Sequence, residues 1–570
     1  MNFPVNLQSL LPSVLIAVLA ASPVLLAGEP APAGTGKAPA ALKNRWFFCF
    51  GYGRTRSGVE KIKSLVDTAA DHGLDGMVLS TFGFDSITSW KPEDFALLRE
   101  VAGHCAKRGI ELVPTGFSVG YGGGALKHNR SWAAALPARL RLKAEHGRLV
   151  PASGPNLLKN GDCETHRGDR FPGFDFIDAP GTISFADDQT SFSGKTSIRF
   201  ENFAADPHGH GRLMQRAKVK PHQAYRFSFR VKTRNLEPVR GFKATIMAGD
   251  RYLASVHPNL KPATGWTEVN LDFVNTDHKE VRIYAGIWDG KSGTFWIDDL
   301  RFAESADLSD IPRRSGTPIS LRSLDRDATF AEGRDFAPIP CRRQLKSIAI
   351  PKGSAIREGE NLELSCYKIP GVRHAWGKQT SLCMSNPELY RYWEAQARRL
   401  HEVLPYKHFL LSMDEIRNGG GCADCRKRHL SMAEILGDCF TRQRAIFKRI
   451  DPEIEVLTWS DMLDPAHNAR NHYYGVVGDF TGSWKYAPKD LVVVCWYHKI
   501  RDTSLSFFSR HGFETIGACY YDAPDLSSSR QWLESLLRTP GARGIMYTSW
   551  KKKYDLLGKF GDMVSEVPED

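Results

Sequence analysis

The chain has 570 residues, 42% of them hydrophobic and 25% charged, and carries a formal net charge of +12. That length is more than one hydrophobic core organises, so two or more domains are expected. Basic residues are scattered, with no block longer than Lys551–Lys553, which excludes the concentrated footprint of a nucleic-acid-binding protein.

Residues 1–28 read as a secretory signal peptide, with the apolar run LLPSVLIAVLAASPVLLA over 10–27 and a cut near Ala27 or Gly28. An uncleaved N-terminal anchor is the alternative, and two prolines within the run weigh against it. The expected location is exported, periplasmic or extracellular. Residues 29–43 follow as a linker rich in Pro, Ala and Gly. No later segment is long and apolar enough to span a bilayer, so no stable membrane insertion is expected after cleavage. The eleven cysteines are an odd count, which leaves at least one thiol unpaired in an exported chain.

Residues 44–122 alternate between strand and helix patterns. Arg45–Gly53 (RWFFCFGYG) is apolar and aromatic, as a buried strand should be. Ser57 and Glu60 have capping-box spacing, and Val59, Ile62, Val66 and Ala69 follow at helical intervals. Gly76–Phe82 is a second strand. Phe95, Leu98, Ala102 and Cys105 mark a helical face over 92–108, and Ile110–Gly116 is a third strand. Such alternation predicts a parallel sheet covered by helices.

Residues 155–303 change to period-two patterning. Tyr225, Phe227, Phe229 and Val231 alternate with polar residues, and similar runs recur in GWTEVNLDF, VRIYAGIW and GTFWIDDLRF. This predicts an all-β sandwich. Its ends, NLLKNGDCE (Asn156–Glu164) and GTFWIDDLRF (Gly293–Phe302), resemble the opening and closing strands of jelly-roll carbohydrate-binding modules. A sugar-binding module and a structural spacer are both compatible with that resemblance. Residues 304–380 hold short β-like pieces, among them NLELSCYKI, and read as a β-rich connection back to the first domain.

The βα rhythm resumes over 381–566. Asn386-Pro387 is a helix N-cap with proline at N1, opening a helix to about Leu404. Strands KHFLLSMDE, IEVLTWSDM, LVVVCWYH, ETIGACYYD and GIMYTSW follow, with helices over 429–450 and 528–538. Three strands before the insert and five after make eight. The predicted fold is therefore α/β: a (β/α)8 TIM barrel carrying an inserted all-β jelly-roll sandwich.

In such a barrel the strand C-termini converge on one pocket. Strand four ends in Asp414-Glu415, strand five in Trp459 and Asp461, strand six in Trp496, Tyr497 and His498, strand seven in Tyr520, Tyr521 and Asp522, strand eight in Trp550. Carboxylates ringed by indoles suit a sugar, whose apolar ring face stacks while its hydroxyls take hydrogen bonds. The expected partner is an oligosaccharide or glycan substrate.

This set resembles glycoside hydrolase family 20, the β-N-acetylhexosaminidases, in an Asp-Glu pair after strand four, tryptophans after strands five, six and eight, and Y-x-D after strand seven. The family's H-x-G-G before the pair reads Leu410-Leu411-Ser412-Met413 here. The resemblance implies a retaining hydrolysis in which the substrate's own acetamido oxygen attacks the anomeric carbon. Asp414 would hold the acetamido N–H, Glu415 would be the general acid, Tyr520 would bind the acetamido oxygen, and Arg45 would match a sugar-hydroxyl arginine. It implies no metal and no organic cofactor. Cys422 and Cys425 form a single CxxC, which reads as a loop disulfide or two plain thiols before a zinc site. Three alternatives stand: a family 123-like enzyme sharing the assisted mechanism, a two-carboxylate glycosidase pairing Glu415 with Asp461 or Asp522, and a sugar-binding protein without turnover.

Overall fold

The computed structural model describes residues 42–370, 372–374 and 377–566. The expected signal peptide and nearly all of the linker lie outside the described residues. Eight parallel strands close into a barrel: β1 (Asn44–Cys49), β2 (Gly76–Leu79), β3 (Glu111–Gly116), β4 (His408–Leu411), β5 (Glu455–Trp459), β6 (Val492–Cys495), β7 (Thr515–Tyr520) and β8 (Ala542–Thr548). Closure comes from β8 against β1, with Asn44 opposite Gly544. Among the described residues no helix is long and apolar enough to cross a membrane.

Strand alternation explains the barrel's two faces. Trp46, Phe48, Leu410, Leu457, Trp459, Val492 and Val494 pack together in the lumen. Their neighbours Phe47, Cys49, Phe409, Leu411 and Val493 point outward, into the shell beneath the helices. Those helices are α1 (Arg56–Asp71), α2 (Pro92–Lys107), α3 (Pro387–Val403), α4 (Met432–Ile450), α5 (Arg501–Arg510), α6 (Ser527–Leu537) and α7 (Leu557–Ser565). In α1, Val59, Ile62, Val66 and Ala69 are buried as their spacing predicts, but the cap is Thr55, whose hydroxyl accepts the Gly58 N–H at 3.1 Å. Ser57 already lies inside the helix and cannot cap it. At the start of α3, Asn386 caps and Pro387 takes N1 as expected.

The chain leaves the barrel after β3 and returns before β4. Two five-stranded antiparallel sheets in this stretch form the sandwich. Tyr225, Phe227, Phe229 and Val231 of the strand Ala224–Glu237 are all buried in its core. A further, six-stranded sheet has Leu136–Glu145 paired antiparallel with Asn361–Lys368, so that Leu140 faces Leu364. Its own core includes Leu140, Leu142, Leu321, Leu362 and Leu364. The 304–380 stretch is therefore more than a connection: much of it completes a sheet with residues on the other side of the sandwich. The entry and exit of the sandwich touch, with Gly154 N–H donating to the Glu304 carbonyl at 3.2 Å and Leu157 N–H to Phe302 at 2.7 Å.

Candidate active site

The C-terminal ends of β4 and β5 bring three carboxyl groups together. Leu457, Trp459 and Asp461 share the inward parity of β5, and the Asp461 side chain is fully buried. Leu410 points inward on β4, and the same alternation carried past the strand end turns Asp414 inward. Its neighbour Glu415 would face away in a continuing strand. Instead it takes φ +50, a left-handed turn that returns its side chain to the mouth. Asp414 and Glu415 both lie close enough to Tyr121 to raise its phenol, and all three acids bear on Tyr521. Both adjacent carboxyls thus bear on the same two phenols at the barrel mouth.

Their environments differ. Burial pushes the Asp414 carboxyl well above the usual carboxylate range, and the nearby Asp461 and Glu415 carboxyls add to the effect. Glu415 is ion-paired, its Oε1 lying 2.7 Å from Arg417 Nη2, and it accepts the Tyr121 hydroxyl at Oε2. Arg417 is itself buried, its guanidinium 5.0 Å from the Tyr474 ring centroid and bonded to Gln379 Oε1. Gln379 also donates to the Glu415 carbonyl at 2.8 Å. Burial moves Asp461 up from 3.8 to about 6, against the hydrogen bonds it accepts. Those come from Glu415 N–H at 2.9 Å, Asn468 Nδ2 at 2.8 Å and Trp496 Nε1 at 3.4 Å. With three donors on its two oxygens, Asp461 positions Glu415 and Trp496.

Aromatic side chains wall this space. Trp496 stacks on Tyr521 with centroids 5.9 Å apart, Trp550 lies 5.0 Å from Phe48 and 4.8 Å from Phe50, and Trp459 meets Phe48 edge-on at 5.8 Å. Trp459 is 3% exposed and belongs to the barrel core beneath the mouth, while Trp496 and Trp550 are half-buried at it. His467 packs 4.5 Å from Trp496, and burial pushes its imidazole down to about 4, so it is neutral.

Three predicted site residues lie elsewhere. Arg45 starts β1 at the opposite end of the barrel, where its N–H donates to Asp75 Oδ1 at 2.9 Å and its Nε lies 3.5 Å from Oδ2. Tyr520 stacks on Tyr547 at 4.2 Å in the outer shell. Tyr520, Tyr521 and Asp522 all have positive φ, so the alternation of β7 breaks and Tyr521 takes the inward place. Asp522 faces the β8 loop, accepting Ser549 Oγ at 2.6 Å, Trp550 N–H at 3.1 Å and Lys551 N–H at 3.2 Å. Tyr121, His467 and Asn468 have no signature in the motif pattern, while Tyr521 stands at the end of strand seven beside the tyrosine that the Y-x-D spacing selects. Arg417 and Arg426 both sit close enough in sequence to the acid pair to be read as its partner, and it is Arg417 that pairs with Glu415.

The sequence matches no family model and no curated protein. Among solved structures, a rhamnosidase from Novosphingobium sp. PP1Y superposes with a TM-score of 0.34 and 10% identity over 92% of this chain and 59% of its own. A Flavobacterium johnsoniae chitobiase gives 0.21 and 15% over 33% of each chain. A carbohydrate-binding module solved with β-1,4-galactotriose gives 0.21 and 15% over 26% of this chain and 99% of its own. These scores are low, and the site is read from its own geometry.

Proposed function

We propose that this chain is an exported glycoside hydrolase, exo-acting on terminal N-acetylhexosamine by a retaining mechanism assisted by the substrate's acetamido group. The observation that supports it is the convergence of Asp414 and Glu415, in contrasting environments, under the walls of Trp496, Tyr521 and Trp550. A carboxyl that burial favours in its protonated form, beside a second, ion-paired one, suits acid–base cleavage of an acetal. The roles follow the environments and reverse those implied by the resemblance. Asp414, which burial keeps protonated, gives its proton to the leaving oxygen as the glycosidic bond breaks. Glu415, ion-paired with Arg417, accepts the acetamido N–H, so that the acetamido oxygen closes on the anomeric carbon. Water then adds to that carbon and returns a proton to Asp414. Tyr521, in place of Tyr520, binds the acetamido oxygen.

A panel of aryl glycosides tests the reading. Turnover of N-acetylglucosaminides or N-acetylgalactosaminides, with none of the matching glucosides, is expected. Asp414→Asn should lower kcat/KM about 10²–10⁴-fold for poor leaving groups and far less for nitrophenol. If that leaving-group dependence appears in Glu415→Gln instead, the proton donor is Glu415. Binding of N-acetylhexosamine without turnover of any panel member would make this a sugar-binding protein.

A further inference from the structure

Behind the acid loop, three cysteines from two distant segments meet in the interior. Cys422 stands at the N-cap of the short helix Ala423–Lys427, Cys425 lies within that helix, and Cys383 comes from the segment leading into α3. All three are buried. Their sulfurs are 3.3 Å (383–422), 3.8 Å (383–425) and 3.5 Å (422–425) apart. None of the three is in a disulfide, so the loop disulfide that the CxxC spacing allows is not formed. In a tetrahedral thiolate site with bonds of about 2.3 Å, sulfurs stand about 3.8 Å apart. The observed triangle needs only a slight expansion to hold an ion, and a void of about 10 Å³ lined by the three cysteines, Met384 and Met432 adjoins it.

Two further side chains fit a charged centre and do not fit three neutral thiols. Arg314 is buried against the cluster, its side chain 7% exposed. Nη1 donates to the Ser131 and Ala133 carbonyls and Nε faces Asp424 Oδ2 at 3.4 Å, while Nη2 has no hydrogen-bond partner and the guanidinium lies near enough to Cys383 and Cys422 to feel their charge. Three thiolates on a divalent ion carry one net negative charge, which a guanidinium complements. The Ser385 hydroxyl is also buried without an oxygen or nitrogen partner, beside the Cys425 sulfur.

We infer that Cys383, Cys422 and Cys425 form a structural zinc site, with Arg314 balancing its charge and Ser385 facing the fourth position. The ion would clasp the loop after Asp414-Glu415 to the segment that carries Gln379, the residue bonded to Glu415 and Arg417. Such a site departs from the expectation of no metal and is independent of the proposed reaction.

The test uses the full chain. Purified protein should carry one zinc per chain, released when a mercurial modifies the thiols. The metal-free chain titrated with Co²⁺ should develop thiolate-to-cobalt charge-transfer absorption in the near ultraviolet and the visible bands of tetrahedral cobalt. Cys383→Ser and Cys422→Ser should lose stoichiometric zinc, while Cys341→Ser, outside the cluster, keeps it. If the cluster variants fail to fold, the wild-type cobalt spectrum decides alone. A folded chain that carries no zinc and gives no cobalt spectrum overturns the inference, as does a disulfide between any two of the three cysteines in non-reducing mass spectrometry.

Discussion

At the scale of single residues, what decides the site is the sign of φ at four positions. Asp414, Asp461, Trp459, Trp496 and Trp550 all follow from counting alternate residues along strands, and that count was legible in the sequence. Glu415, Tyr520, Tyr521 and Asp522 turn left-handed without a glycine to announce it, so the Y-x-D spacing points to Tyr520 while the structure turns Tyr521 inward. Tyr521→Phe should therefore lower kcat/KM at least about tenfold, the order of one lost hydrogen bond in a dry site, while Tyr520→Phe stays near wild type. Equal losses in the two variants, measured on the same aryl glycoside, would reject Tyr521 as the inward residue. Asp461 supplies a second test, in stability. Its folded pKa of about 6 lies above the ordinary 3.8, so the folded state binds the proton more tightly. The stabilisation is full below about pH 4 and is lost as pH rises through about 6, amounting to about 3 kcal/mol. Urea titrations at pH 4 and pH 7 should show Asp461→Asn with a smaller loss than wild type over that interval; matching losses would mean that Asp461 is not perturbed.

Elements show where a local signal competes with a tertiary one. The eight barrel strands were readable because each is a short apolar run, and α1, α3 and α4 because their apolar faces repeat at helical spacing. The helix α5, RDTSLSFFSR, buries only Ser504, Leu505 and Phe508, too thin a stripe to stand out. Leu136–Glu145 alternates cleanly, yet its partner Asn361–Lys368 lies more than two hundred residues on, and no local pattern names such a partner. Asp522 belongs at this scale too. It ties the end of β7 to the β8 loop through three hydrogen bonds and so fixes Trp550. Asp522→Ala should cost about 1–3 kcal/mol by leaving those donors unmet in the interior, and should raise KM through a misplaced Trp550. Unchanged denaturation midpoints alongside a raised KM would instead make Asp522 a ligand for substrate.

At the scale of the whole molecule, an arginine of the sandwich reaches toward the acid site. Arg251 donates from Nε to the Tyr474 carbonyl at 2.6 Å and from Nη2 to the Val476 carbonyl. The Tyr474 ring covers Arg417, which pairs with Glu415. Arg251→Ala should thus reduce kcat severalfold with the denaturation midpoint nearly unchanged. Replacing residues 155–303 by a short linker between the adjacent Gly154 and Glu304 should reproduce that loss while the barrel remains folded, by circular dichroism and proteolysis. Full activity in the excised chain would show that the contact does not bear on catalysis. The large insertion also has a consequence for biosynthesis. β3 must wait for β4 while about 290 intervening residues are translated, some 15–60 s at ordinary ribosome speed. Throughout that interval three short, apolar strands have nothing to close against, so the nascent N-terminal segment is where a holding chaperone has most to shield.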